Sequence, residues 1–190
     1  MTAQPRRRSQ RRVRTPTVLQ MEATECGAAS LAIVLAWFGR RVPLEELRVA
    51  CGVSRDGSKA SNVIRAARTY GLEAKGFRRE VEQVLAGPFP VVVFWGFNHF
   101  LVVDGVRAGK VHLNDPAVGP RTVTLKEFDE KFTGVVLEFD PGPDFVRGGA
   151  NPTTLSRLGR RLAGFEPSIA FVAAIGLILV IPGLVLPGLT

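Results

Sequence analysis

A chain of 190 residues has room for one domain with a proper core and a further segment beyond it. Two cysteines and two histidines, scattered without paired short gaps, exclude a disulfide framework and a zinc-ribbon or finger site. The formal charge of +8 is unevenly placed: Arg6, Arg7, Arg8, Arg11, Arg12 and Arg14 carry six of it, leaving +2 elsewhere and no sign of a nucleic-acid groove on the fold.

In chain order, residues 1–16 read as a basic, disordered tail that could brush anionic lipid. No apolar stretch follows them before Gln20, so they are not a secretory signal. The run from Ala28 to Phe38 is too long for one strand and rich in helix formers, which predicts a buried helix stopped by Gly39. A second helix is predicted over Val42–Ala50, with Pro43 in its first turn. A third follows, capped by Ser58, with Val63, Ile64, Ala67 and Tyr70 at helical spacing and Gly71 at its end.

The period then changes. Leu72–Phe77 alternates as a half-buried strand and Val81–Ala86 is a short helix. Strands are predicted at Val91–Phe94, His99–Val106, Lys110–Asn114, Arg121–Thr124 and Val135–Phe139, with a helix over Leu125–Phe132 among them. A helical half followed by an antiparallel half makes an α+β domain of two lobes over residues 17–140. Residues 141–152, rich in Pro and Gly, are expected to be a linker. Residues 153–167 alternate Leu and Arg as an interfacial helix would, and the uncharged stretch 168–190 has the length of a first membrane span. The arginines before it place the domain on the cytoplasmic side, and the chain looks like the front end of a longer, multi-pass protein. No internal repeat is present, and Gly105–Val111 falls short of a phosphate-binding loop.

The chemistry gathers at the start of the first helix. Cys26 falls in or just before its first turn, where free backbone N–H groups and the positive dipole end favour a thiolate, the form that attacks. Gln20 offers a side-chain amide to an oxyanion, with the Cys26 N–H as second donor. A thiol nucleophile needs a histidine. If Gly105–Gly109 turns a hairpin centred near Arg107, facing residues have numbers adding to about 214, which sets His99 opposite Asp115. The carboxylate could then fix the imidazole tautomer and leave the other nitrogen for the thiol. His112 lies an odd offset from Asp115 and faces the other way; Asn114 is a weaker orienter for the same reason.

Gln20, Glu25-Cys26-Gly27-Ala28-Ala29, Asn98-His99-Phe100 and Asn114-Asp115-Pro116 resemble the papain-like peptidase domain of peptidase-containing ABC transporters, which cut leader peptides after a double-glycine-type motif. The stretch Gln20–Ala28 is most similar to the branch exporting peptides with nitrile-hydratase-like or Nif11-like leaders. The resemblance covers about Thr17 to Asp140 and implies Cys26 as nucleophile, His99 as base, Asp115 as orienter and Gln20 as oxyanion donor. Glu25 stands where many members have Asp. The implied partners are a leader-bearing bacteriocin-type precursor and the plasma or inner membrane, with no nucleic acid, and the full transporter is expected to be a homodimer. No cofactor or metal is implied for the peptidase domain; ATP and magnesium belong to a nucleotide-binding domain further downstream. Two other readings stay open: a leader-docking domain that does not cut, and a papain-fold acyltransferase acting on a small thiol or amide.

Overall fold

A computed structural model describes residues 8–9, 11–149 and 164–185, which divide between two units, residues 1–150 and 151–190. In the first unit a 3-10 turn, Ala23–Glu25, leads into α1 (Cys26–Phe38), followed by α2 (Leu44–Ala50) and α3 (Ala60–Thr69). Then come β1 (Leu72–Arg78), α4 (Val81–Leu85), β2 (Val91–Trp95), β3 (His99–Arg107), β4 (Lys110–Asp115), β5 (Gly119–Thr124), α5 (Leu125–Lys131) and β6 (Phe132–Pro141). The helical half precedes the sheet half, as the change of period predicts.

All six strands join one antiparallel sheet in the order β1-β6-β2-β3-β4-β5. Alternate residues along the strands feed two cores. On one face α1, α2 and α3 bury Leu31, Ile33, Leu35, Leu47 and Val63 against Val92, Phe100, Val102, Leu137 and Phe139. On the other, Val84 of α4 and Phe128 of α5 cover Val91, Val93, Leu101 and Val103. Helix α1 is apolar all round and nearly all buried, because it lies between the sheet and the other two helices. Each of its fully buried Leu, Ile and Val side chains stabilises the fold by about 1.5–3 kcal/mol.

Several sequence expectations are corrected. The N-terminal segment is not a free tail where it is described: Ser9 and Phe89 exchange backbone hydrogen bonds at 2.8 and 2.7 Å, and Val13 and Thr15 are buried. Arg8 pairs with Glu138 and Asp140 of β6, so acids of the fold compensate part of the basic charge. Backbone pairing and apolar burial outweigh the self-repulsion that the arginine count suggests. Residues 1–7 and 10 lie outside the described residues. The expected linker is docked as far as residue 149: Phe145 meets Phe38 edge-to-face at 6.2 Å, and Gly148 exchanges backbone bonds with Gly39 and Arg41. Helix α3 is preceded by Lys59, not Ser58, with no side-chain cap.

Most of the interfacial helix expected at 153–167 lies outside the described residues, as do residues 186–190 of the expected span. The second unit contains α6 (Glu166–Val185). Among the described residues no helix is long and apolar enough to cross a membrane.

Candidate active site

Cys26 is the first residue of α1, preceded by Glu25, and is 4% exposed. The helix start comes close to β3 because residue 27 lacks a side chain. A Cβ there would stand 3.1 Å from Val63 Cγ2, 3.2 Å from Ser58 Cβ and 3.4 Å from Phe100 Cδ2. His99 opens β3, and its ring Nε2 lies 2.7 Å from Asp115 Oδ1 at the end of β4. The Cys26 sulfur hydrogen-bonds the His99 side chain and the backbone at Phe100 and Gly27. With Nε2 on the carboxylate, Nδ1 is the nitrogen left for the thiol. His99 and Asp115 share strand parity with Leu101 and Leu113, on the face turned from α1, so thiol, imidazole and carboxylate can meet only at the sheet's end.

The charges fall as a thiolate–imidazolium pair requires. Burial alone would push the Cys26 thiol up, but the bonds from His99 and Phe100 and the nearby imidazolium charge outweigh it and hold the thiol below its ordinary value. Burial would likewise lower His99, yet the Asp115 carboxylate and the Cys26 sulfur raise it to about 9. Asp115 is held below the usual carboxylate range against its own burial, by the His99 bond, the Ala117 N–H at 2.9 Å and the charges of His99 and Arg121.

The hairpin register differs from the predicted one. Arg107 pairs with Lys110 and the turn is Ala108-Gly109, both at positive φ (52° and 70°). A β-bulge between Val103 and Gly105 then shifts the ladder by one residue, to Val103↔Leu113 and Val102↔Asn114. Continuing that register sets Asp115 across from Leu101, so His99 is its diagonal neighbour on the same face and not its direct opposite. His112 bonds Thr122 Oγ1 through Nδ1 at 3.1 Å, away from Asp115. Asn114 is buried and donates to Thr15 Oγ1 at 2.8 Å and to the Thr15 and Pro16 carbonyls, fixing the N-terminal strap.

Gln20 is half-buried; its backbone N–H donates to the Pro116 carbonyl at 2.8 Å, and its Oε1 is buried without a hydrogen-bond partner. That bond ties the segment carrying Gln20 to the residue after Asp115. Sequence reasoning missed Arg121, whose guanidinium donates to Asp115 Oδ2 at 3.0 Å and lies 5.5 Å from the Trp95 ring centre. Gly119 opposes Asp115 in the β4–β5 ladder, which makes Arg121 a diagonal neighbour; only the register of β5 could have found it. Among the described residues no cluster of His, Cys, Asp and Glu could hold a metal ion.

A thiol at a helix N-terminus, bonded to an imidazole that is bonded in turn to a carboxylate, on a helical lobe packed against an antiparallel sheet, defines a papain-like cysteine peptidase. The Peptidase C39 family matches residues 14–144, and the chain belongs to that family. It is 52% identical to a double glycine motif protease from an AMS/PCAT transporter, solved in complex with the leader peptide; the match covers 71% of this chain and 97% of that one, with a TM-score of 0.69. The peptidase domain of Streptococcus ComA shares the fold at 23% identity and a TM-score of 0.62, over 65% of this chain and 96% of that one. The colicin V secretion/processing ATP-binding protein of Escherichia coli is 34% identical over 138 residues, 73% of this chain and 20% of that protein. A probable microcin-H47 secretion/processing protein of the same organism is 29% identical over 177 residues, 93% of this chain and 25% of that protein. The chain thus spans about a quarter or less of the length of these two curated relatives.

Proposed function

We propose that the chain is the leader-removing part of a peptide exporter, a cysteine endopeptidase that cuts precursors after a double-glycine-type motif. The observation that carries the reading is the hydrogen-bonded series Cys26, His99, Asp115, with 2.7 Å between imidazole and carboxylate. The half-identical relative solved with a leader peptide supports the substrate class.

In this mechanism the Cys26 thiolate attacks the carbonyl carbon after the small residues, forming a C–S bond and an oxyanion. Gln20 and the Cys26 N–H stabilise that oxyanion. His99 passes its proton to the departing amine as the C–N bond breaks. A water, deprotonated by the now neutral His99, then attacks the thioester and returns the thiol. Asp115 holds the ring so that one nitrogen faces sulfur throughout. No step draws on a metal or cofactor; ATP would serve a nucleotide-binding domain of the full transporter. The transporter reading, with its membrane location, is supported by the names of the curated relatives, which are secretion and processing ATP-binding proteins; a cytoplasmic peptidase and a homodimeric assembly belong to the same proposal.

Incubating the protein with a synthetic leader ending in Gly-Gly, followed by a short cargo sequence, and reading products by mass tests the proposal. Cleavage after the second glycine is expected, with none from Cys26→Ala while leader binding persists. A Cys26→Ala protein that still cuts overturns it.

A further inference from the structure

In the loop that carries Gln20 the two flanking apolar side chains are exposed, Leu19 at 55% and Met21 at 82%, and the nearest apolar anchor is Val18, packed against the core. It is held by polar bonds at two points. On one side the Gln20 N–H donates to the Pro116 carbonyl, beside Asp115. On the other, Glu25, 1% exposed and adjacent to Cys26, reaches back into the loop. Its Oε2 accepts from the N–H groups of Met21 at 2.7 Å and Glu22 at 3.0 Å, the two residues following Gln20. Its Oε1 pairs with Arg48 Nε of α2 at 3.0 Å.

A carboxylate this deeply buried is costly unless every lone pair facing the interior is met, and here two amides and a guanidinium meet them. An apolar residue would fill the space more cheaply but could not bind two consecutive backbone N–H groups. We infer that Glu25, clamped by Arg48, is a positioning residue that fixes the Gln20 amide relative to the Cys26 sulfur, so that the oxyanion donor is in place before substrate arrives. The inference rests on the reading of Gln20 as oxyanion donor. It also accounts for an acid beside a nucleophile that works as an anion: the guanidinium of Arg48 neutralises it.

Alkylation of a thiolate by iodoacetamide needs the Cys26–His99 pair but no oxyanion hole, whereas peptide cleavage needs both. In the full chain, Glu25→Gln is expected to lower kcat on the Gly-Gly leader by about ten- to a hundredfold, short of the roughly hundred- to thousandfold of removing an oxyanion donor outright, with KM nearly unchanged. The iodoacetamide rate and its pH profile should stay as in the parent. Arg48→Met should act in the same direction, and Glu25→Asp should restore part of the loss. In a Gln20→Ala background, Glu25→Gln should cost less than threefold more. Parallel loss of alkylation and cleavage, or a full additional loss on top of Gln20→Ala, overturns the positioning role while leaving the peptidase reading intact. Undiminished cleavage by Gln20→Ala itself overturns both the oxyanion role of Gln20 and the inference built on it.

Discussion

His99 and Asp115 lie 2.7 Å apart although they are not opposed in the β-ladder. The contact exists because the bulge between Val103 and Gly105 returns the two side chains to the same face after the Ala108-Gly109 turn. Asp115→Asn keeps an acceptor for the imidazole but removes the charge and presents an amide N–H₂ toward Arg121. Leader cleavage should fall by about a hundredfold, the size of a general acid–base contribution. The alkaline limb of kcat/KM against pH should move down from about 9, since the carboxylate is what raises His99 most. An unmoved limb would contradict the role given to Asp115.

The same pair contributes to stability in a definite pH window. The folded-state value of His99, about 9, lies above its unfolded 6.5, so its contribution is complete below pH 6.5 and is lost as pH rises through 9. Asp115 is shifted the other way: its contribution is present above its unfolded 3.8 and is lost as pH falls through its lower folded value. In the parent the thiol of Cys26, held below its ordinary 9, contributes with the opposite sign as pH rises toward 9 and offsets the loss at His99. Thermal unfolding is therefore followed from pH 4 to 10 in Cys26→Ala, where Tm should decline between pH 7 and 9, with a smaller decline when Asp115→Asn is added.

The thiol gives a separate readout. In the parent the iodoacetamide rate should reach half its maximum below pH 9, the ordinary value for a cysteine, because His99 and the Phe100 backbone favour the thiolate. In His99→Ala the largest remaining influence is burial, which pushes in the opposite direction, and the midpoint should rise above 9. A midpoint that stays put would mean that the helix start alone activates the sulfur.

Gly27→Ala tests the approach of α1 to β3. The new methyl would meet Val63, Ser58 and Phe100 at 3.1–3.4 Å, so the helix start must give by a few tenths of an ångström. Stability should fall by about 1–2 kcal/mol, the lower part of the range for overpacking. Cleavage should fall about tenfold, because reacting groups tolerate little displacement. Equal activity at reduced Tm would show that the site relaxes freely.

Gly105→Ala addresses the N-terminal strap. Gly105 has φ 137°, and a Cβ there would lie 2.6 Å from Arg12 Cα, a backbone atom that cannot swing aside. The strap should detach near Arg12, freeing Val13 and Thr15 and leaving the buried Asp104 without the Thr15 hydroxyl at 2.7 Å. A loss of about 2–3 kcal/mol is expected from backbone strain and the unmade hydrogen bond, with new trypsin cuts after Arg12 or Arg14.

Local pattern determined much of this protein: the apolar run ending at Gly39, the change of period at Leu72, and the strands from Val91 onward each follow from the spacing of side chains along a helix or strand. The identity of Cys26 as a thiol at a helix start was legible for the same reason, since the first turn of any helix exposes its N–H groups. The pairing of His99 with Asp115 was reached from a hairpin centre three residues' sum away from the true one; its parity survived because the bulge restored it, and no local signal announces a bulge. Arg121 on Asp115, Arg48 on Glu25 and the seating of the arginine-rich strap were decided by tertiary structure alone. Each joins residues brought together by sheet register or by packing of one helix on another, and such contacts depend on the three-dimensional path of the chain, which composition and period do not encode.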